Sequence, residues 1–275
     1  MTGGPPSAVP GGPRGTLPPL AQGWSSVTVA RGLAGPGPEV TVAVYTPAHA
    51  TGAWVLLLHG WNQHAHDWAE RTQVTTLAEV QGWTLVAPDL GKSVYESRGY
   101  PGMGSTVPGL VWTRDVLVPW TVTALGLPDV ASGRAVVGVS TGGRGAALLG
   151  ETGLFGAVAA FSGTYDLAAL APGTGEYRIH AAVFGERAAR AEVWRSEDLT
   201  GRTPPTTRWW LAHGGKDPYV PQAQSRTQAA RLASAGVPVV TWFEANAGHD
   251  WPVWDAWLGR IGHALLEPTS QPGKE

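Results

Sequence analysis

The sequence predicts an α/β fold in which helices cover both faces of a mostly parallel central sheet. Three observations predict it. Short runs rich in β-branched residues alternate with longer segments of helical periodicity. Several of the short runs are apolar at every position, which is typical of strands that are covered on both faces. The chain has 275 residues, a length that a single large α/β domain accommodates.

The first predicted elements alternate between strand and helix. Residues 39–47 alternate apolar and polar side chains, as a half-exposed strand does. Residues 53–60 are continuously apolar and stop at glycine, which indicates a buried parallel strand. Helical spacing over 67–81 ends at Gly82, and residues 83–89 then predict the next strand.

The middle of the chain repeats this alternation. A long amphipathic stretch over 110–127 predicts helix, and the β-branched run over 133–140 predicts a buried strand. A glycine-rich but otherwise helical segment follows over 142–152, and residues 156–163 form another predicted strand. Each strand–helix–strand unit of this size indicates parallel neighbours in one sheet.

The C-terminal part contains the last predicted pairs. Residues 207–214 and 238–245 predict strands, and residues 220–235 and 251–266 predict helices. The segment 165–205 interrupts the alternation, because it is rich in Gly, Pro and charged residues. In an open α/β sheet, ligands bind beyond the carboxyl ends of the strands. We therefore expect this insertion to lie over that edge and to form one wall of a pocket.

The predicted domain runs from residue 23 to residue 267. Residues 1–22 are rich in Pro and Gly and predict a disordered leader, and residues 268–275 predict a tail. Within the insertion at 165–205, helical character is confined to short patches such as 186–195. The leader has no apolar core of signal-peptide length. The expected location is the cytoplasm, and secretion stays open because a misassigned start codon would leave the same leader.

Composition excludes several classes of function. A formal net charge of −2 offers no basic face for nucleic acid, and no apolar run approaches the length that a membrane span needs. The chain has no cysteine, which excludes disulfides, a thiolate nucleophile and a cysteine-ligated metal. The expected partner is a small-molecule substrate, and the oligomeric state is left open.

Residues 138–142, Gly-Val-Ser-Thr-Gly, match the pattern G-x-S-x-G between a predicted strand and a predicted helix. In that context the serine lies on a sharp turn, where a histidine can reach its hydroxyl. Glycines two positions before and after Ser140 remove side chains that would collide with the neighbouring strand and helix. Ser140 is therefore the candidate nucleophile, whereas a glycine-rich turn with an incidental serine is the alternative.

An acid and a base are expected later in the chain, in the order Ser, acid, His. Asp217 follows the strand predicted at 207–214, and His249 follows the strand predicted at 238–245. Asp217 would hold the imidazole in the tautomer that accepts the serine proton. Asp166, which also follows a strand, is the reserve acid. The alternatives are a turn aspartate at 217 and a loop histidine packed among tryptophans at 249.

His-Asp-Trp occurs twice, at 66–68 and at 249–251. Only the second is expected to contribute the base, and Asp250 is not expected to be its partner. The first follows the strand whose loop supplies an oxyanion donor in such folds, so the backbone N–H groups of Trp61 and Thr141 are the candidate donors. Asp67 is expected to cap the helix that begins there.

Two further features of the sequence bear on the site. The histidines around residues 59–67 resemble part of a dinuclear metal motif but lack its complete spacing, so no metal and no cofactor are expected. Of the 14 tryptophans, most are expected in the core, and Trp61 and Trp251 are the candidates for the substrate pocket.

The chain resembles the esterase D family of α/β-hydrolases, which includes S-formylglutathione hydrolases, feruloyl and acetyl-xylan esterases and mycolyltransferases. The resemblance covers about residues 54–266 and rests on the motifs LLLHGWNQHAHDW, LVAPD, GVSTGGRGAA, FSGTYDL, HGGKDPYVP and AGHDWPVWDAWL. It implies an α/β-hydrolase fold, and a serine esterase that uses Ser140, Asp217 and His249 and forms an acyl-enzyme without a cofactor. The chain has Thr141 where the family usually has Met, and WNQHAH where the family has a glycine-rich oxyanion loop.

Two alternative functions stay open at this point. The same three residues would serve an acyltransferase or a peptidase, because all three reactions pass through an acyl-enzyme. An inactive hydrolase scaffold used for binding is the other alternative.

Overall fold

The computed structural model describes residues 9–10, 17, 19–30, 39–199 and 207–266. The strands in these residues are β1 (Val9–Pro10), β2 (Gly23–Val29), β3 (Val40–Thr46), β4 (Trp54–Leu58), β5 (Thr84–Pro88), β6 (Arg134–Val139), β7 (Ala157–Phe161), β8 (Arg208–Gly214) and β9 (Val239–Glu244). The α-helices are α1 (Asp67–Arg71), α2 (Val74–Gln81), α3 (Gly109–Trp112), α4 (Val118–Leu125), α5 (Thr141–Gly150), α6 (Gly175–Phe184), α7 (Ala191–Ser196), α8 (Ala223–Ser234) and α9 (Trp251–Ile261).

All of these strands belong to one sheet, in the order β1-β2-β3-β5-β4-β6-β7-β8-β9. The six strands from β5 to β9 in this order run parallel to one another, whereas β3 is antiparallel to both of its neighbours. Every residue of β4, β5, β6 and β7 is buried, which explains why these segments are apolar without alternation apart from Thr84 and Arg134 at the starts of β5 and β6. The predicted α/β fold with a mostly parallel sheet is confirmed.

The core consists of two layers, one on each face of the sheet. In β4, Trp54, Leu56 and Leu58 point into one layer, and Val55 and Leu57 point into the other. Helices α3, α4, α5 and α8 cover the first face, and α1, α2 and α9 cover the second. Because successive residues of a strand face opposite sides, each buried strand contributes to both layers.

The helix predicted at 67–81 is two helices, α1 and α2. The backbone of Thr72 is extended, and its hydroxyl donates to the carbonyl oxygen of Trp68 at 2.6 Å while accepting from the N–H of Val74 at 3.2 Å. The threonine side chain thus satisfies backbone groups on both sides of the break. Such local bonds compete with a continuous helix, and the apolar periodicity does not report them.

The structure differs from the sequence prediction at two other places. β2 was not predicted, because its sequence GWSSVTV has two consecutive serines and its first four residues are only partly buried; it pairs as an antiparallel neighbour of β3. In the segment 165–205, which was predicted as irregular apart from short patches such as 186–195, α6 covers Gly175–Phe184. The Thr174 hydroxyl begins this helix by accepting from the N–H of Tyr177 at 3.2 Å.

Most of the predicted leader at 1–22 and all of the predicted tail at 268–275 lie outside the described residues. Of the leader residues that are described, Val9–Pro10 pairs with β2, and the N–H of Leu17 donates to the carbonyl oxygen of Ala124 at 3.0 Å. None of the helices in the described residues has the length and apolar character that crossing a membrane requires.

Candidate active site

Ser140 lies on the turn between β6 and α5, at the carboxyl edge of the sheet. Its φ of 56° and ψ of −125° place a residue with a side chain in a region that usually favours glycine. The N–H of Ser140 still donates to the carbonyl oxygen of Phe161 in β7 at 2.9 Å, so the strand pairing continues up to the turn. Strain of this kind persists only where the surrounding structure holds it.

Three glycines make room for this turn. A Cβ atom at Gly138 would lie 2.0 Å from the carbonyl oxygen of Gly142, and one at Gly142 would lie 2.2 Å from that of Leu58. A Cβ atom at Gly60 would lie 2.8 Å from the Cβ of Ser140. These contacts confirm the steric reason for glycine at 138 and 142, and they show that the turn packs directly against the end of β4.

Ser140, His249 and Asp217 form one hydrogen-bonded chain. The distance from His249 Nε2 to Ser140 Oγ is 3.0 Å, and that from His249 Nδ1 to Asp217 Oδ2 is 2.6 Å. The loops after β8 and β9 bring Asp217 and His249 to the turn, because parallel strands end at the same edge of the sheet. A carboxylate accepts, so Nδ1 carries the hydrogen and Nε2 is free to accept the serine proton.

The Asp217 side chain is only 1% exposed and accepts four hydrogen bonds. Oδ1 accepts from the N–H groups of Tyr219 and Val220, both at 2.9 Å, and Oδ2 accepts from His249 and from His213 Nε2 at 3.1 Å. Burial by itself would raise the pKa of Asp217, but the hydrogen bonds from His213 and His249 outweigh it and hold the pKa well below its ordinary value. The carboxylate is therefore ionised at neutral pH.

Two aromatic rings hold the imidazole of His249 from its sides. Its centroid is 5.2 Å from that of Tyr219 and 5.0 Å from that of Trp254, and both contacts are edge-on. Trp254 is itself fixed, because its Nε1–H donates to Ser162 Oγ at 3.2 Å. The imidazole is thus oriented by packing as well as by its two hydrogen bonds.

The side chains of the other aspartates considered from the sequence make local contacts to backbone N–H groups. Asp166 Oδ1 accepts from the N–H of Ala169 at 2.9 Å, and Asp250 Oδ1 accepts from the N–H of Val253 at 3.1 Å, which caps α9. The structure therefore brings Asp217, and not the reserve residue Asp166, to the imidazole.

Asp67 does not cap α1, so that prediction was wrong. Asp67 is the first residue of α1, and its side chain makes no capping hydrogen bond to the helix. Oδ2 instead accepts from the N–H of His64 at 2.8 Å, and Oδ1 accepts from Arg71 Nε at 2.9 Å. The carboxylate fixes the loop that precedes the helix.

The candidate oxyanion donors lie on the two segments that meet at Ser140. Thr141 is the first residue of α5, and Trp61 follows Gly60, which packs against the Cβ of Ser140. The loop at Trp61 is a tight turn in which the N–H of Gln63 donates to the carbonyl oxygen of Gly60 at 3.2 Å. The amino-terminal end of α5 adds a partial positive charge beside the serine.

The two tryptophans predicted for the substrate pocket have different environments. Trp61 is partly exposed and packs against an apolar cluster built mainly from α6, α7 and the preceding insertion residues. Trp251 is 8% exposed and lies in the core, where its ring meets that of Trp68 edge-on at 5.2 Å. The structure thus leaves Trp61 at a surface beside the site and places Trp251 in the core, contrary to the expectation for a pocket residue.

The side chains of His66, Asp67 and Glu70 bring donor atoms within 4.8 Å of one another. Both Asp67 oxygens are already hydrogen-bonded, one to Arg71 and the other to the N–H of His64. His66 and Glu70 are exposed. A metal would have to displace the Arg71 contact, so this arrangement gives no support for a metal site.

A buried polar cluster joins α5 to the insertion, and the sequence did not reveal it. Arg144 is fully buried; its Nε donates to the carbonyl oxygen of Val94 at 3.1 Å, and its Nη2 donates to that of Glu197. Glu176 on α6 is also buried and accepts from Thr164 Oγ1 at 2.6 Å. Burial raises the pKa of Glu176.

No family model matches the sequence, and no curated protein matches it. Solved structures do match. The serine hydrolase FphF of Staphylococcus aureus is 14% identical with a TM-score of 0.67, covering 90% of this chain and 100% of its own. An S-formylglutathione hydrolase from Agrobacterium tumefaciens is 16% identical with a TM-score of 0.66, over 89% and 95% of the two chains.

An acylaminoacyl peptidase from Pyrococcus horikoshii is 12% identical with a TM-score of 0.69 and covers 92% of this chain, which spans 43% of the peptidase. These likenesses establish that the chain has an α/β-hydrolase fold, as the sequence predicts. The same fold carries enzymes that are named for different bonds, so the fold alone does not identify the reaction.

Proposed function

We propose that the chain is a serine esterase that hydrolyses carboxylic esters of small molecules through an acyl-enzyme. The observation that carries the proposal is the hydrogen-bonded chain from Ser140 Oγ through His249 to Asp217. A serine hydroxyl is a weak nucleophile until a base takes its proton, and this arrangement supplies the base and the group that orients it.

In the proposed reaction, Ser140 Oγ attacks the ester carbonyl carbon while His249 Nε2 takes the hydroxyl proton. The tetrahedral intermediate collapses when the imidazolium returns that proton to the leaving alkoxide, and the alcohol departs. Water then attacks the acyl-enzyme with His249 again as the base, which releases the acid and regenerates the serine. Asp217 stays ionised throughout and stabilises the imidazolium.

The backbone N–H groups of Trp61 and Thr141 are the proposed donors to the negatively charged oxygen of the tetrahedral intermediate. Loss of one such donor costs about 2.7–4 kcal/mol of transition-state stabilisation in enzymes of this kind. Thr141 contributes through its backbone, so the threonine side chain that replaces the methionine usual in the resembled family leaves this role intact. Each step of this scheme is carried by side chains and backbone of the chain itself, and no cofactor is part of it.

Labelling and hydrolysis together test the proposal. A fluorophosphonate probe should modify the wild-type protein at Ser140, and p-nitrophenyl acetate should be hydrolysed with a burst equal to the enzyme concentration. Ser140→Ala should abolish both, with an unchanged thermal unfolding temperature. Wild-type protein that is neither labelled nor active would support the alternative of an inactive binding scaffold.

Competition experiments separate hydrolysis from the other reactions open to an acyl-enzyme. A panel of esters with different acyl lengths and leaving groups would be run beside the matching amides, with and without added alcohol acceptors. The proposal predicts that esters react faster than amides and that the free acid is the main product. Preferential transfer to the added alcohol, or faster cleavage of amides, would replace it with an acyltransferase or a peptidase.

A further inference from the structure

We propose that His213 is a positioning residue of the site, which holds the Asp217 carboxylate in the orientation that aligns His249. The inference rests on the proposed function, because it assigns His213 an effect on catalysis that operates through those two residues. His213 lies near the end of β8, four residues before Asp217, and its side chain is fully buried.

The Nε2 atom of His213 faces two acceptors. It is 3.1 Å from Asp217 Oδ2 and 2.9 Å from the carbonyl oxygen of Val220. Neither acceptor can donate when Asp217 is ionised, so Nε2 carries the hydrogen and shares it between them. One N–H group thus ties the carboxylate to the loop that follows it.

The other side of the ring is held from α8. His213 Nδ1 lies 2.7 Å from Ser225 Oγ, so the second ring nitrogen is also held by a hydrogen bond. The backbone of His213 is also fixed, because Gln222 Nε2 donates to its carbonyl oxygen at 3.0 Å. A ring that is anchored at both nitrogens and at its backbone is a rigid support for its neighbour.

His213 and His249 donate to the same oxygen of Asp217. The two backbone N–H groups of Tyr219 and Val220 hold the other oxygen. Without the His213 contact, Oδ2 would be held only by the imidazole that it is supposed to orient. The direction of the imidazole towards Ser140 would then be set less precisely, and a small misplacement of a reacting group is costly in rate.

Other ionisable groups face this network from neighbouring elements. Glu176 on α6 interacts electrostatically with both Asp217 and His249, and the hydroxyl of Tyr165, which follows β7, lies beside Ser225. Neither side chain makes the contact between His213 and Asp217. Their contribution is present equally in the wild type and in both His213 variants, so it cancels in that comparison.

The test compares His213→Leu with His213→Gln, whose side-chain amide retains an N–H donor. The substitution to Leu should lower kcat/KM for p-nitrophenyl acetate by roughly 10- to 100-fold, the range expected for a hydrogen bond to a charged group. It should also move the acid limb of the kcat/KM profile to higher pH, because a carboxylate that has lost a donor stabilises the protonated imidazole more strongly. His213→Gln should recover most of the rate and the position of the limb.

The matched control is His180→Phe. His180 is another fully buried histidine, but it donates to the backbone carbonyl of Glu176 rather than to Asp217. This variant should leave the acid limb where it is in the wild type. A shift as large as that of His213→Leu would attribute the effect to the loss of any buried imidazole and would overturn the proposal.

A double-mutant cycle separates positioning from general stability. In an Asp217→Ala background, His213→Leu should reduce the remaining activity less than two-fold, because the carboxylate through which it acts is gone. The same 10- to 100-fold loss in both backgrounds would overturn the proposal. If His213→Leu does not fold, Ser225→Ala replaces it in the cycle. A several-fold loss of kcat/KM in Ser225→Ala that disappears in the Asp217→Ala background supports the inference. The same loss of kcat/KM in both backgrounds refutes it.

The outcomes also distinguish the two proposals. Wild-type protein that fails to react with a fluorophosphonate contradicts the proposed function. Wild-type protein that reacts normally, with His213→Leu equal to it in rate and pH profile, contradicts only the role of His213.

Discussion

Asp217→Asn is the substitution for which the structure gives the clearest expectation. All four groups that contact the carboxylate are hydrogen donors: the N–H groups of Tyr219 and Val220 at one oxygen, and His213 and His249 at the other. An asparagine carries one NH₂ group, and in either orientation that group meets two donors. The amide therefore cannot satisfy the site without rearrangement.

The less disruptive orientation has its own consequence for the imidazole. If the NH₂ group replaces Oδ2, it donates to Nδ1 of His249, and the ring takes the tautomer with its hydrogen on Nε2. That nitrogen then donates to Ser140 and cannot accept its proton. Substituting the aspartate of a Ser–His–Asp triad by asparagine costs about 10⁴-fold in kcat, which corresponds to about 5.4 kcal/mol in the activation free energy.

The assay is the steady-state rate of p-nitrophenyl acetate hydrolysis, with the rate of fluorophosphonate labelling as a second measurement. Asp166→Asn is the matched control, because Asp166 also follows a strand at this edge but its side-chain Oδ1 accepts from the N–H of Ala169 in its own loop. We expect the control to stay within about two-fold of the wild type. A loss of less than ten-fold in Asp217→Asn, or an equal loss in both variants, would refute the assignment of Asp217.

Three other expectations follow from particular contacts. Gly142→Ala should slow fluorophosphonate labelling of Ser140 by 100-fold or more, because the new Cβ would lie 2.2 Å from the carbonyl oxygen of Leu58 and would displace the turn. A displacement of about 1 Å at a reacting group costs about 10²-fold in rate. Near-normal labelling would contradict this expectation. Asp67→Ala should lower the free energy of unfolding by about 1 kcal/mol, measured by urea denaturation, and leave kcat/KM within about two-fold; a catalytic loss without a stability loss would be the contrary result. Burial, followed by the charge of Arg144, lowers the pKa of His180 from 6.5 to about 3. Between pH 6.5 and pH 3, His180 is therefore protonated in the unfolded chain but not in the folded protein. Stability should fall by about 1.4 kcal/mol per pH unit from this group as the pH drops from 6.5 towards 3, and His180→Phe should flatten that part of the curve; an unchanged slope would argue against a buried neutral histidine.

The parts of the fold that the sequence predicts are those set by local patterns. β4, β6 and β7 are buried at every position, so their runs of Val, Leu and Ala were visible without any tertiary information. The order of strands and helices then fixed which loops reach the carboxyl edge of the sheet, and Ser140 and His249 lie on such loops. Asp217 was predicted by the same reasoning from β8.

The features that the sequence did not predict depend on partners that are distant in the chain. Trp251 follows the base directly and was predicted to line the pocket, but it packs on Trp68, which lies more than 180 positions earlier. His213 is only four residues from Asp217, yet a strand residue could face either side of the sheet, and its contact with Ser225 on α8 selects the side. α6 had a local signal in the cap at Thr174, which the charge and glycine content of the insertion obscured.

The guanidinium of Arg144 has a consequence for how far the insertion can move. Arg144 lies on α5, the helix that follows Ser140. Its guanidinium donates to the backbone carbonyl of Val94 and to that of Glu197, near the C-terminal end of the insertion. Glu197 in turn accepts from the hydroxyl of Tyr100 at 2.7 Å. Outward movement of the insertion would remove a hydrogen-bond partner from this fully buried cation, at a cost of about 1–3 kcal/mol for each partner lost. The contacts of Arg144 therefore oppose outward movement of the insertion as far as Glu197, which is where its guanidinium is bonded.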